Sequence, residues 1–297
     1  MDDKASEILK RVRRIELKAR RMAAENFAGQ YQSGFRGQGL DFDDFREYLS
    51  GDDPRFIDWK VTARMGSPYV RRFREEREQA LILVVDTSGS MNYASAGAKS
   101  TKLEYAAEIA AVLAFSAVQS GDKCGLLIYG QKKRFYLPPA KGVRQTLRII
   151  REILSSHEEC PDDNLSDVAD MLLSTQKKTA IVIMISDFQG DINRAALGKL
   201  SFKHELIPVR VADQAELSLP DAGRIIANDA ENGGSYYINL SKPEIREVHN
   251  QLVKNHRDAW VKEFNRLGLD YLDLDNRMPF LPALKAVFSK RSRKFAH

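Results

Sequence analysis

The chain has 297 residues, of which 43% are hydrophobic and 29% charged, and its net charge is +5. This composition is typical of a folded globular protein and argues against a disordered or fibrous one. The longest uncharged apolar runs, ALILVV and AAVLAFSAVQ, fall well short of the roughly 20 residues that span a bilayer. The N-terminus also lacks the apolar stretch of a secretory signal. We therefore expect no transmembrane segment and a cytoplasmic location.

The first predicted element is a basic helix at the N-terminus. Its apolar residues recur with helical spacing and form one stripe, composed of Ile8, Val12, Ile15, Ala19 and Met22. Lysines and arginines fill much of the remaining surface between residues 10 and 21, and the chain ends in a second basic stretch, SKRSRKFAH. The apolar stripe must cover a surface, so we expect the helix to pack on the rest of the chain or on a partner.

The two basic ends raise the question of a charged partner. Positive charge can attract nucleic acid or anionic lipid, but aromatic residues that would stack on bases are not interleaved with it. Nucleic acid is therefore not the expected partner. A solvated face or docking onto an acidic protein is favoured, and contact with a membrane surface stays open.

Residues 28–66 are rich in Gly and Asp with scattered aromatics. We predict irregular structure with short turns, held by Phe42, Phe45, Tyr48, Ile57 and Trp59. The glycines are not followed by Gly-Lys-Ser/Thr, so a nucleotide-binding loop is not expected. The acidic residues here (Asp52, Asp53 and Asp58) could hold a second cation, but the nearby basic residues (Arg46, Arg55, Lys60 and Arg64) favour internal ion pairs.

From residue 69 onward, strand and helix patterns alternate. The strand-like runs are YVRRF leading to ALILVVD, CGLLIYG, AIVIMISD, ELIPVRVAD and LDYLDLD. Helical patterns lie between them, near residues 102–119, 142–156, 165–177, 192–200, 243–266 and 279–290. Continuous β-branched runs predict strands covered on both faces. We predict an α/β fold with a doubly wound, mostly parallel sheet flanked by helices, Rossmann-like, with an N-terminal helix and an irregular extension.

Oxygen-bearing side chains are predicted to gather at one edge of this sheet. Ligands of such sheets bind outside the carboxyl ends of the strands, where Asp86 and Asp187 each end a strand. Asp86, Ser88 and Ser90 follow the spacing D-x-S-x-S, and alternate residues of an extended loop point the same way. A few carboxylates and hydroxyls suit a hard cation such as Mg²⁺.

Other interpretations of the stretch DTSGSM are less well supported. The serines could simply cap a loop. A nucleophilic serine would want the pattern G-x-S-x-G or a histidine near the strand ends, and neither is present. An aspartyl-phosphate enzyme would want a carboxylate two residues after Asp86, where the chain has Ser88.

The pattern D-x-S-x-S with a later Asp resembles the metal-ion-dependent adhesion site (MIDAS) of von Willebrand factor type A domains. The upstream block RGQGLDFDDFREYLSGDDPRFIDWKVTARMGSPYVRRFREERE resembles the signature of the bacterial family called domain of unknown function fifty-eight. Members of that family join such a block to a type A domain. The resemblance implies a site of Asp86, Ser88, Ser90 and Asp187. We further predict two regions, with residues 1–76 packed as an extension on a type A-like domain of residues 77–297.

One position departs from the adhesion-site pattern. The usual Thr falls on the sequence DNL, so Asp163 takes its place, with Asp162, Asn164 and Ser166 as neighbouring substitutes. An added carboxylate would hold Mg²⁺ or Mn²⁺ more tightly and weaken its attraction for a partner's carboxylate. Asp163 could instead cap the helix that starts near residue 165.

The resemblance implies a metal-dependent interaction module without catalysis. Proteins of this family are often encoded beside MoxR-type AAA+ ATPases, so an adaptor or co-chaperone of such an ATPase is the expected role. The alternative is a hydrolase in which the metal activates water, with Asp163 or Asp187 as its base.

Overall fold

The computed structural model describes residues 2–27, 29, 31, 40–75, 79–130, 134–156, 165–190, 193–228 and 234–294. The strands are β1 (Leu40–Glu47), β2 (Tyr69–Glu75), β3 (Ala80–Asp86), β4 (Lys123–Tyr129), β5 (Phe135–Ala140), β6 (Ile181–Ser186), β7 (Glu205–Ala212), β8 (Arg224–Asn228), β9 (Ser235–Asn239) and β10 (Leu272–Asp275). The helices are α1 (Asp2–Met22, continued by a π-helical turn at Ala23–Phe27), α2 (Trp59–Met65), α3 (Lys102–Gln119), α4 (Val143–Ser155), α5 (Leu165–Thr175), α6 (Arg194–Lys203), α7 (Gln214–Leu217), α8 (Pro243–Arg266) and α9 (Leu281–Lys294).

The described strands β3–β7 and β10 form a central sheet in the order β10-β7-β6-β3-β4-β5. All neighbouring pairs are parallel except β4 and β5, which are antiparallel. The predicted α/β class with a mostly parallel sheet is confirmed. Strands β8 and β9 form a separate antiparallel pair.

The central strands are apolar throughout because helices cover both faces of the sheet. In β3, Leu81, Leu83 and Val85 face one buried cluster, whereas Ile82 and Val84 face the other. Helices α1, α3, α4 and α9 supply the first cluster, and α5, α6 and α8 supply the second. This double coverage explains the continuous apolar runs in the sequence.

The apolar stripe of α1 packs as predicted. Val12, Ile15 and Ala19 are buried in the first cluster, against the layer that contains α3. Basic residues of α1 face acidic residues of α3, and Lys18 forms an ion pair with Glu108. Part of the positive charge of the N-terminal helix is therefore neutralised within the chain.

The prediction of irregular structure for residues 28–66 is wrong where the structure describes them. Strands β1 and β2 pair antiparallel in a sheet of their own, so YVRRF precedes β3 in the chain but is not a strand of the central sheet. Helix α2 follows within the same block. Trp59 is 71% exposed and does not hold the block together as predicted.

The chain reverses its direction of winding next to β3. From β3 it passes through α3 to β4 on one side, and it later returns to place β6 on the other side of β3. In open α/β sheets, the crevice for a ligand forms at such a switch point, outside the carboxyl ends of the strands. Among the described helices, none has the length and apolarity to cross a membrane.

Candidate metal centre

Asp86 is the last residue of β3 and lies at the switch point. Its side chain is only 7% exposed. One carboxylate oxygen, Oδ1, accepts a hydrogen bond from the backbone N–H of Ser88 at 2.9 Å. The other oxygen, Oδ2, accepts from the hydroxyl of Ser186 at 2.6 Å. The described partners of this buried carboxylate are thus neutral donors.

The turn after Asp86 depends on a glycine at the end of the neighbouring strand β4. Gly130 has a φ of +82°, and a Cβ built on it would lie 2.5 Å from the nitrogen of Ser88 and 2.8 Å from Asp86 Oδ1. Any side chain would therefore collide with the turn. Thr87 is tied to the same strand end, because its N–H and its hydroxyl both donate to the carbonyl of Tyr129.

The two serines of the D-x-S-x-S stretch lie together. Their Oγ atoms are 3.2 Å apart and hydrogen-bonded, and both residues are partly exposed. The predicted spacing of hydroxyls along the loop thus does bring Ser88 and Ser90 to one point. They lie beside the buried carboxylate of Asp86, whose Oδ1 holds the N–H of Ser88.

Burial and the neighbouring charge of Asp187 together raise the pKa of Asp86 to about 6. Hydrogen bonds from Ser186 and Ser88 act in the opposite direction but do not cancel the effect. A carboxylate that is removed from water and lies near a second one favours a neutralising cation.

Asp187, directly after β6, is satisfied differently from Asp86. Its Oδ2 accepts a hydrogen bond from the ammonium of Lys102 at 2.7 Å, and neither side chain is more than 3% exposed. Its Oδ1 accepts from the backbone N–H of Gln189 at 3.2 Å. The second predicted carboxylate therefore reaches the sheet edge already paired with a cation of the protein.

Lys102 also contacts Glu216, whose Oε1 lies 2.6 Å from the ammonium. Burial lowers the pKa of Lys102, but the charges of Asp187 and Glu216 outweigh burial, so the pKa is raised overall and the ammonium stays charged. The other oxygen of Glu216 accepts the N–H of Asp213 in a capping box that begins α7. Lys102 thus links the ends of β6 and β7.

The loop that carries Asp187 is fixed by α8. Phe188 has a φ of +52°, a conformation that costs a residue other than glycine about 1–3 kcal/mol. Its carbonyl accepts a hydrogen bond from Trp260 Nε1 at 2.8 Å and lies 2.6 Å from His256 Nε2. Its N–H donates to Ser186 Oγ, the hydroxyl that binds Asp86. The ends of β3 and β6 therefore share one hydrogen-bonded network.

The remaining predictions concern Asp163 and the acidic residues of the upstream block. Asp163, with Asp162 and Asn164, lies outside the described residues. The favoured interpretation of the upstream acidic residues as ion-pair partners is confirmed for Arg46–Asp52 and Arg55–Asp53, at 2.7 Å and 2.6 Å. The Arg46–Asp52 pair is partly buried and the Arg55–Asp53 pair is exposed.

Asp58 in that block has a local structural role. Its side chain caps α2 by accepting the backbone N–H groups of Lys60 and Val61. The carboxylate therefore stabilises the N-terminus of this helix.

Sequence reasoning missed Ser186, Lys102, Glu216 and Asp213. Asp213 is fully buried and accepts hydrogen bonds from Ser95 N–H and Asn276 Nδ2. It follows β7 as Asp187 follows β6, so the sequence ELIPVRVAD already contained a third strand-end carboxylate. No comparable signal marked Lys102, since a lysine in the first turn of a helix is normally solvated.

The residues at the end of β3 fit a hard divalent cation. In the part of the chain that is described, no three His, Cys, Asp or Glu side chains gather into a metal site. A cation here would therefore depend on the Asp86 carboxylate and the paired hydroxyls of Ser88 and Ser90. A carboxylate with hydroxyls and retained waters is a donor set that Mg²⁺ and Mn²⁺ accept.

Comparison with known families gives one match that covers most of the chain. The model of the family described as "Protein of unknown function DUF58" matches residues 44–259. An uncharacterized protein of Mycobacterium tuberculosis is 28% identical over 286 residues, which cover 95% of this chain and 89% of that protein.

Two solved structures are similar over most of their length. The conserved hypothetical protein BatB from Bacteroides thetaiotaomicron is 15% identical, with a TM-score of 0.43 and coverage of 72% of this chain and 99% of that one. The VWA domain of SpRpn10 is 10% identical, with a TM-score of 0.41 and coverage of 70% and 93%. At these scores the similarity is loose, and the site must be judged from its own geometry.

Proposed function

This chain belongs to the DUF58 family, and we propose that it is a protein-interaction module that depends on a bound divalent cation. Asp86, Ser88 and Ser90 would hold Mg²⁺ or Mn²⁺. The family resemblance adds Asp187 and Asp163 to this set of ligands. The cation would supply a positive charge for an acidic side chain of a partner. The role requires no catalysis by the chain.

One observation supports this proposal most strongly. Asp86 is buried beside Asp187 without a described cationic partner of its own, while Ser88 and Ser90 place two hydroxyl oxygens 3.2 Å apart next to it. A buried carboxylate at a switch point favours the binding of a metal cation when no described basic side chain neutralises its charge. The two serines are partly exposed, so the position is also accessible to a partner.

The metal dependence can be tested by calorimetric titration of Mn²⁺ into the wild-type protein and a Ser88→Ala, Ser90→Ala double variant. We expect the double variant to lose at least tenfold in affinity. The matched control is Ser174→Ala, Ser201→Ala, which removes two hydroxyls from α5 and α6, the helices that lead to the opposite edge of the sheet. Equal affinity in all three proteins would contradict the proposal.

As the partner we propose a MoxR-type AAA+ ATPase, or an acidic side chain of its client, on the basis of the family resemblance. A purified ATPase of this type should bind the wild-type protein in Mg²⁺ and release it in EDTA. Asp86→Ala should abolish the difference between the two buffers. Binding that is the same in Mg²⁺, in EDTA and with Asp86→Ala would remove the metal from the interaction.

The metal-dependent hydrolase remains the alternative. Asp187, one of its two candidate bases, is already paired with the ammonium of Lys102. A phosphatase screen with Mg²⁺ or Mn²⁺ tests this alternative. Turnover that is lost in Asp86→Ala would overturn the interaction-only proposal.

A further inference from the structure

Lys102 is a buried cation at the centre of the sheet edge. Its side chain is 0% exposed, and its ammonium lies between Asp187 Oδ2 at 2.7 Å and Glu216 Oε1 at 2.6 Å. Lysine is among the residues least often found fully buried, and it is found so only when paired. In the sequence, Asp187 lies 85 positions and Glu216 lies 114 positions after Lys102.

The position of Lys102 in α3 indicates that the charge is needed there. Lys102 is the first residue of the helix, after the N-cap Thr101. Positive charge is disfavoured at a helix N-terminus, because the helix dipole is positive at that end. The two carboxylates must therefore compensate both for the dipole and for the loss of hydration.

We propose that the Lys102 ammonium is a built-in cation that neutralises Asp187 and competes with a divalent metal for it. This inference rests on the proposed function, because it concerns the same metal position. The charge of Asp187 acts on Asp86, and Lys102 already neutralises that charge. A metal is left with Asp86 and the serine hydroxyls, so Lys102 keeps its binding weak and exchangeable.

Removing the ammonium should free Asp187 as a ligand without displacing it. Asp187 Oδ1 remains held by the N–H of Gln189, and the preceding Ser186 is fixed by Asp86 and Phe188. In Lys102→Met the apolar length of the side chain is kept while the charge is lost. A nearby positive charge also repels a divalent cation directly, so its loss acts in the same direction.

The test is titration of Mn²⁺ into the full chain, as wild type and as Lys102→Met. We expect the dissociation constant to fall at least tenfold in Lys102→Met. The matched control is Lys123→Met, an exposed lysine at the opposite end of the neighbouring strand β4, which changes the net charge equally. Lys123→Met should bind Mn²⁺ as the wild type does.

Thermal unfolding gives a second measurement that does not require Lys102→Met to be stable on its own. A ligand that binds only the folded state raises its stability, so Mn²⁺ should raise the midpoint of Lys102→Met more than that of the wild type. If the variant is unfolded without metal, Mn²⁺ should refold it and Na⁺ at equal ionic strength should not. A variant that stays unfolded in Mn²⁺ would overturn the inference.

The outcomes separate this inference from the proposed function. Wild-type binding that depends on Asp86 but is not tightened in Lys102→Met would overturn the inference alone. Binding by Lys102→Met but not by the wild type would support the inference and overturn the metal dependence of the natural protein. Absence of binding in both would overturn both.

Discussion

The ends of β3 and β6 carry the same kind of residue at the same edge of the sheet, but they are stabilised in opposite ways. Asp86 is buried among neutral donors, the N–H of Ser88 and the hydroxyl of Ser186. Asp187, on the adjacent strand, is buried against the full charge of Lys102. The two strands are neighbours in register, with Val85 paired to Ile185, so the difference comes from the groups that surround each carboxylate and not from the level at which each strand ends.

The two strand ends differ in whether the buried carboxylate is already compensated by a charge of the protein. In a buried pair of a carboxylate and an ammonium each charge compensates the other, and a large cost appears when one partner is removed. A buried carboxylate with only neutral donors is an incomplete arrangement whose charge costs free energy in the absence of a ligand. We therefore interpret the β6 end as the structural half of the edge and the β3 end as the binding half.

The largest expected effect is at the structural half. Asp187→Ala leaves the ammonium of Lys102 buried with only Glu216 as its partner, and removal of one member of a buried pair costs about 3–5 kcal/mol. Urea denaturation should show this loss in the free energy of unfolding. The control is Asp170→Ala, which breaks an exposed pair with Lys199 and should change stability by less than about 0.5 kcal/mol. Equal effects of the two substitutions would contradict the structural role.

The second prediction concerns the pH dependence of the binding half without metal. The pKa of Asp86 is about 6 in the folded protein and 3.8 as its ordinary value. Asp86 therefore favours the folded state below about pH 4, where it is protonated in both states. This advantage is lost as pH rises through about 6, a change of about 3 kcal/mol.

Asp86→Asn isolates this contribution from the other titrating groups. In EDTA, the free energy of unfolding of the variant relative to the wild type should increase by about 2–2.5 kcal/mol between pH 4 and pH 7, most of the full change of about 3 kcal/mol. Added Mn²⁺ should reduce the wild-type loss, because a cation stabilises the ionised carboxylate. A difference that does not vary with pH would show that the burial of Asp86 is compensated within the protein.

The central sheet could be predicted from the sequence because its physical cause is local. Strands covered on both faces must be apolar at every position, and ALILVV and AIVIMIS show this directly. The pairing of β1 with β2 could not be predicted in the same way. In LDFDDF the alternation of apolar and acidic residues is interrupted at Asp43 and Asp44, and the pairing of β1 with β2 shifts register between Phe42 and Asp44. An irregularity of this kind removes the period-two signal of a strand.

The candidate site could be predicted in part for a similar reason. Asp86, Ser88 and Ser90 lie within five residues, so their spacing is visible in the sequence. The contacts of Lys102 with Asp187 and Glu216 depend on how α3, β6 and β7 meet, and no local pattern reports that. The sequence TKLEY predicted only a helix start, and the charge that distinguishes the two halves of the edge was therefore missed.

The third prediction tests how closely the binding half is shaped by its neighbour β4. Gly130→Ala places a Cβ 2.5 Å from Ser88 N and 2.8 Å from Asp86 Oδ1, at a φ of +82°. Gly121 has the same φ of +82°, but a Cβ at this position would meet nothing within 4 Å, so Gly121→Ala measures the backbone strain alone. We expect about 1 kcal/mol for Gly121→Ala and about 2–3 kcal/mol for Gly130→Ala by denaturation.

Metal binding should separate these two glycine variants more sharply than stability does. Gly130→Ala displaces the turn that positions Asp86 and Ser88, so its Mn²⁺ affinity should fall, while Gly121→Ala should bind as the wild type does. Two variants with equal affinity would show that the turn at Gly130 does not shape the site.

The smallest expected effect concerns the hydroxyls of the binding half. Ser88 and Ser90 hydrogen-bond to each other at 3.2 Å and are partly exposed, so water can replace either partner. A hydrogen bond of this type contributes about 0.5–1.5 kcal/mol at most. In EDTA, Ser88→Ala, Ser90→Ala should therefore lower the free energy of unfolding by less than about 1 kcal/mol. In saturating Mn²⁺ the gap between variant and wild type should widen, because only the wild type gains the free energy of metal binding. A large loss in EDTA that Mn²⁺ does not change would make the serines structural and would erase the distinction between the two strand ends.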